Sequence, residues 1–135
     1  MSQQNVDAFE QAIDAYNRGD VDAFLSVFDP AAEWHTLPQA VFGGESTVYR
    51  GHEGIRRFVR EVDEALADVR AECAEIRDLG ERIVAVGQLR GRGRSSGAVA
   101  RTRIGWVVDF VDGKVVRMRD YLDPDEALEA ARETG

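Results

Sequence analysis

A chain of 135 residues that is 44% hydrophobic is long enough to enclose a core and too apolar for a disordered segment. Its formal net charge of −8 disfavours nucleic acid and anionic membrane surfaces as general partners. No apolar run has membrane-spanning length, MSQQNVDAFE lacks the basic-then-apolar layout of a signal peptide, and the lone Cys73 forms no intrachain disulfide; a single cytoplasmic domain over residues 1–135 is the expectation.

In chain order, Val6, Phe9, Ile13 and Tyr16 recur at helical spacing and predict a first helix over Val6–Asn17. Gly19 suits a left-handed helix end and Asp20 an N-cap, so Arg18-Gly19-Asp20 is a helix–helix turn. Val21, Phe24, Leu25 and Phe28 are the buried stripe of a second helix, which Asp29-Pro30 should stop. A short strand is expected over Ala32–Leu37, then a Gly- and Pro-containing loop up to Gly51. A third helix over His52–Ala67 carries Ile55, Phe58, Val59, Val62 and Leu66 on one side. Strands follow at Val69–Ile76, Arg82–Arg94 and Ala98–Phe110. Asp123, Pro124 and Glu126 open a final helix as cap, first position and capping-box acid.

The most informative stretch is RTRIGWVVDFVDGKVVRMRDYLD. Asp112-Gly113 between alternating runs marks a hairpin joining Arg101–Phe110 to Lys114–Leu122. Parity places Thr102, Ile104, Trp106, Val108 and Phe110 on one apolar face. In the second strand Val116, Met118, Asp120 and Leu122 share a face, with Asp120 the one carboxylate among apolar neighbours. Unless paired, such a group is costly to ionise and suits general acid–base work; the alternative is a strand end where Asp120 meets water or an arginine. Helices first and a mostly antiparallel meander last make the fold class α+β. Three helices against one bent sheet would enclose an apolar cone.

The stretches AYNRGDVDAFLSVFDPAAEWH, YRGHEGIRRFV, GWVVDFVDGKVV and RMRDYLD resemble, in order and spacing, the nuclear transport factor 2-like superfamily, and within it the SnoaL-like polyketide cyclase branch. The resemblance implies a cystatin-like α+β barrel: a cone-shaped curved sheet packed against three N-terminal helices. Fold alone does not fix chemistry, since relatives include isomerases, cyclases, epoxide hydrolases and non-catalytic binders. Where ketosteroid isomerases carry a base, a tyrosine and a second acid, this chain has His35, Ala12 and Trp106, so that oxyanion hole is absent. Asp120 matches the terminal aspartate of limonene-type epoxide hydrolases, but Gln88 and Arg90 replace the rest of their triad. The cyclase pattern, an acid–base aspartate beside an apolar pocket, is the one Asp120 satisfies.

The expected function is binding of a small hydrophobic molecule, with proton-transfer chemistry of the cyclase or isomerase type by Asp120 and His35; the alternative is a non-catalytic binding or assembly module. His35 meets Asp120 if the Glu33/His35/Leu37 parity faces the pocket, the arrangement preferred here, and points away if Trp34/Thr36 does. The expected ligand contacts are Trp34, Tyr49, Phe58, Val62, Val86, Gln88, Arg90, Trp106 and Met118. By the resemblance, Val84, Val86, Gln88 and Arg90 face inward, which would put Arg90 near Asp120 as anchor or bridge. Two histidines without a ligand-spaced cluster, and no phosphate-cradling loop, imply neither metal nor organic cofactor. Relatives pair through the sheet, and a homodimer is expected across Ile83, Ala85, Leu89, Arg103, Val107 and Tyr121.

Overall fold

The computed structural model describes residues 2–36 and 48–133. Leu37 and the loop as far as residue 47, both part of the expected first strand and its exit, lie outside the described residues. Helix α1 (Ser2–Arg18) ends where Gly19 turns left-handed at φ +75. The amides of Gly19 and Asp20 donate to the Tyr16 and Ala15 carbonyls at 3.0 and 2.9 Å, and the Asp20 side chain caps α2 (Val21–Leu25) at Ala23. The Arg18-Gly19-Asp20 triplet is a helix–helix turn.

Helix α2 stops at Leu25, three residues earlier than expected, and Phe28 already belongs to strand β1 (Phe28–His35). Asp29-Pro30 therefore sits inside a strand rather than ending a helix. Pro30 has no amide to give a ladder, and the pairing of β1 breaks register there, between Phe28 and Glu33. A short strand β2 (Val48–Arg50) pairs back on β1, where a loop was expected. Helix α3 (Gly51–Ala65) buries Ile55, Phe58 and Val62 and runs directly into β3 (Leu66–Asp78). Strands β4 (Arg82–Gly93), β5 (Val99–Val111) and β6 (Lys114–Tyr121) complete the meander, and α4 (Pro124–Arg132) follows its Asp123 cap.

The six strands form one curved, unclosed sheet in the order β2-β1-β6-β5-β4-β3, antiparallel except where β1 meets β6. Asp112 and Gly113 both take positive φ, 51 and 78, as a two-residue hairpin turn requires. Helices α1, α2 and α3 cover the concave face and form the main core with Trp34, Trp106, Val108, Phe110 and Met118. Helix α4 covers part of the convex face, where Ala127 and Ala131 pack on Val84 and Val107. A Cβ on Gly105 would stand 2.7 Å from that of Ala127, so glycine is what lets α4 lie this close.

The two faces of β4 are exchanged relative to expectation. Directly opposed residues of antiparallel strands share a face, and Ile83 and Ala85 oppose Val108 and Trp106. Ile83, Ala85 and Leu89 therefore look into the concave core, while Val84, Val86, Gln88 and Arg90 lie on the convex side. Strand β6 has its own irregularity: Asp109 pairs with Arg117 but Phe110 with Val115, leaving Val116 as a bulge. Val115 joins Met118 and Asp120 on the concave face in its place.

Candidate functional site

Between α1, α3 and the concave sheet lies a cavity of about 90 Å³. Phe9, Tyr16, Trp34, Phe58, Trp106 and Met118 form much of its wall, with Val62 and Leu89 beside them. Its aromatic rings brace one another: Trp34 meets Phe58 edge-on at 4.6 Å, and Phe9 lies 5.9 Å from Trp106. The space exists because four positions that reach it are small. Ala12 faces it from α1, Ala71 from β3, and Gly91 and Ala100 from the β4–β5 end. A buried apolar space of this order admits a single benzene-sized ring.

Asp120 does not line this cavity. Its neighbours Trp34, Trp106 and Met118 are in the wall, and Asp120, 8% exposed as a residue, lies behind them. Trp34 Nε1 donates to Asp120 Oδ1 at 2.8 Å. Burial pushes the Asp120 pKa from 3.8 to about 7, against a smaller lowering by the indole hydrogen bond.

His35 does not meet Asp120. Trp34 opposes Met118 in register, which sends Trp34 into the core and His35 to the convex side opposite Arg119. There its Nε2 lies 3.1 Å from Glu33 Oε1. That bond, followed by one from Arg50, holds the Glu33 carboxyl below its ordinary range. The preferred parity of β1 is thus corrected: the bulkiest side chain takes the core position.

The other expected contacts divide. Trp34, Phe58, Val62, Trp106 and Met118 are in the cavity wall. Tyr49 is buried but outside it, donating to Glu61 Oε1 at 2.6 Å with the Arg57 guanidinium 5.0 Å above its ring. Val86 and Gln88 are on the convex face, where Gln88 Nε2 donates to Glu72 Oε1 at 2.6 Å. Arg90 borders the cavity mouth, but its guanidinium pairs with Glu72 at 3.2 Å, so no Arg90–Asp120 bridge exists. Tyr16, at the end of the α1 apolar stripe, is in the wall as well.

Among the described residues no group of three His, Cys, Asp or Glu side chains could hold a metal ion. His52 is half-buried, its Nε2 2.8 Å from the Phe28 carbonyl, which fastens α3 to β1. Burial raises the Cys73 thiol above its ordinary value, the opposite of what a nucleophile needs. No described helix is long and apolar enough to cross a membrane.

The family model of the SnoaL-like domain matches residues 9–118. Among solved structures, the chain is similar to an NTF2-like protein of unknown function from Burkholderia pseudomallei, at 25% identity and a TM-score of 0.79, covering 96% of this chain and 98% of that one. It is equally similar in sequence, at 25%, to TerC, which was co-crystallized with polyporic acid; the TM-score is 0.77, with 97% and 99% covered. A candidate SnoaL-like polyketide cyclase from a Jannaschia species shares the fold at 17% identity and a TM-score of 0.76, with 99% and 95% covered. No curated protein matches the chain.

Proposed function

The chain belongs to the SnoaL-like domain family, and from that premise we propose that it binds a compact apolar molecule, about one ring in size, in the cavity between α1, α3 and the concave sheet. The observation that carries this reading is an aromatic wall around space left by Ala12, Ala71, Gly91 and Ala100. Dense packing is the norm in a protein interior, and an apolar gap forfeits dispersion contacts unless something fills it. TerC, of the same fold and co-crystallized with polyporic acid, lends support. The chain has two tryptophans, Trp34 and Trp106, and both line the cavity. Titration with toluene should therefore change tryptophan fluorescence saturably, and Ala12→Phe, which fills the space, should abolish the change. No saturable response in the wild-type protein would overturn the reading.

Proton-transfer chemistry is the second reading, and it rests on Asp120 alone. A carboxyl near pH 7 holds or accepts a proton as a general acid–base group must. A substrate would reach it only if Trp34 turned aside, since the indole now occupies one carboxylate oxygen. Binding is therefore the primary function and catalysis the addition.

The partner in this reading is a second copy docked through the convex face, in a cytoplasmic setting. Arg119 Nε and Nη2 are buried there with no hydrogen-bond partner among the described residues. Arg101 and Arg103 are exposed on the same face, as are Glu126 and Glu129 of α4. A two-fold pairing would set those acids against those arginines. Sedimentation equilibrium giving a single monomeric species at micromolar concentration would refute it.

A further inference from the structure

On the convex face the register of β3, β4 and β5 sets arginines directly against one another. Arg70 of β3 opposes Arg90 of β4, and Arg90 opposes Arg101 of β5. Opposed residues of antiparallel strands hold their Cβ atoms about 5 Å apart, so three like charges stand in a row roughly 10 Å long, which a sheet ordinarily avoids. In the next row Glu72, Gln88 and Arg103 stand side by side. Glu72 is the one carboxylate of the two rows. Gln88 Nε2 donates to it, and Arg90 pairs with it at 3.2 Å. The Gln88 hydrogen bond, and then the charges of Arg90, Arg70 and Arg101, hold its carboxyl below the ordinary range, so all three guanidiniums of the row act on one carboxylate. Arg70, Arg101 and Arg103 are exposed and make no ion pair or hydrogen bond with the described residues. Helix α4 packs farther along this face, on Val84 and Val107.

We propose that the two rows bind a phosphoryl group, free or on a small monoester, with Arg70, Arg101 and Arg103 as its donors and Arg90 held beside it by Glu72. The site is separate from the cavity, on the opposite face of the sheet. Four arginines against one glutamate leave three positive charges uncompensated, and an anion among them offsets their repulsion. A phosphoryl group brings a charge of about −1.5 to −2 at pH 7 and three terminal oxygens, one for each free guanidinium. A carboxylate brings less charge and fewer oxygens. The ligand is small because the chain's net charge of −8 repels an extended polyanion. A small anion feels mainly the charges within about 8 Å, beyond which salt screens the rest, and there the arginines outnumber the acid. Val99, 72% exposed, follows Arg101 on the same face and offers the organic part of an ester an apolar contact.

The test titrates inorganic phosphate, phenyl phosphate and acetate, at matched ionic strength, against the arginine Nε–H signals of 15N-labelled protein. It is made in the wild type and in Glu126→Gln/Glu129→Gln, which lacks the α4 acids that a second copy would set against Arg101 and Arg103. Both phosphates should shift the Arg70, Arg101 and Arg103 signals saturably, and acetate should bind about tenfold more weakly. Tighter binding of phenyl phosphate points to an ester resting on Val99, and equal affinities to the free ion; the phosphoryl site stands either way. Arg101→Gln breaks the row and should weaken phosphate about tenfold, the loss of one hydrogen bond to a charged group. In chloride it should melt at the wild-type temperature or above, because an opposition of like charges is gone. Arg60→Gln, on α3 at the other side of the sheet, should leave phosphate binding unchanged. Acetate binding as tightly as phosphate, or Arg60→Gln weakening phosphate as much as Arg101→Gln, would reveal only diffuse positive charge and overturn the inference. Absence of a saturable phosphate shift in both proteins, or a lower melting temperature of Arg101→Gln in chloride, would overturn it too.

Discussion

Asp120→Asn separates a buried acid from its surroundings with almost no change of shape. The amide oxygen can still accept from Trp34 Nε1, as Asp120 Oδ1 does at 2.8 Å. What disappears is the charge. Because the folded-state pKa is raised, from 3.8 to about 7, the native protein is penalised progressively as pH rises through that window, while the unfolded chain ionises freely. At roughly 1.4 kcal/mol per tenfold, the full penalty is about 4 kcal/mol above pH 7 and nearly nil below pH 4. Asparagine escapes it. Urea denaturation of both proteins, followed by tryptophan fluorescence at pH 4, 6 and 8, isolates this group because every other titration cancels in the difference. The stability gap in favour of Asp120→Asn should widen by about 3–4 kcal/mol from pH 4 to pH 8. A gap that is flat with pH would refute the buried, perturbed carboxyl. So would a variant less stable by about 3 kcal/mol or more at pH 8, the signature of a broken ion pair.

Two further substitutions test the surroundings. Trp34→Phe removes the hydrogen bond that lowers the Asp120 pKa, so the carboxyl should titrate higher still and the protein should lose about 1–3 kcal/mol at pH 8, measured through the remaining Trp106. Gly87 faces the break in pairing between Cys73 and Glu75, and a Cβ there would press on the Glu72 carbonyl oxygen and stand 2.9 Å from Cys73 Cα. Gly87→Ala should cost about 3 kcal/mol or more in a thermal melt, since backbone cannot step aside as a side chain can.

The sequence was legible where one residue type answers one local demand. Asp112-Gly113 specified the hairpin, Asp20 and Asp123 the helix starts, and the Thr102–Phe110 alternation the concave face of β5. It was illegible where two influences overlap. Ile83, Val84 and Ala85 are each 0% exposed, because α4 covers the side of β4 that the main core does not. With both faces buried, alternation carries no sign, and Ile83 and Ala85 rather than Val84 and Val86 face the concave core. In β1 the apparent helix stop at Asp29-Pro30 concealed a strand already begun at Phe28, and Trp34 rather than His35 claimed the core. Asp120 as a buried acid could be read from its apolar neighbours; that Trp34 screens it from the cavity could not, since that depends on register across 86 positions of chain.

The central claim, an apolar molecule held between α1, α3 and the concave sheet, is tested most directly by the anomalous signal of bromine in crystals soaked with bromobenzene. The account predicts a single strong peak enclosed by Trp34, Phe58, Trp106 and Tyr16, absent from soaked Ala12→Phe crystals. Ordered water in that space, with bromine bound only at the surface, would contradict it.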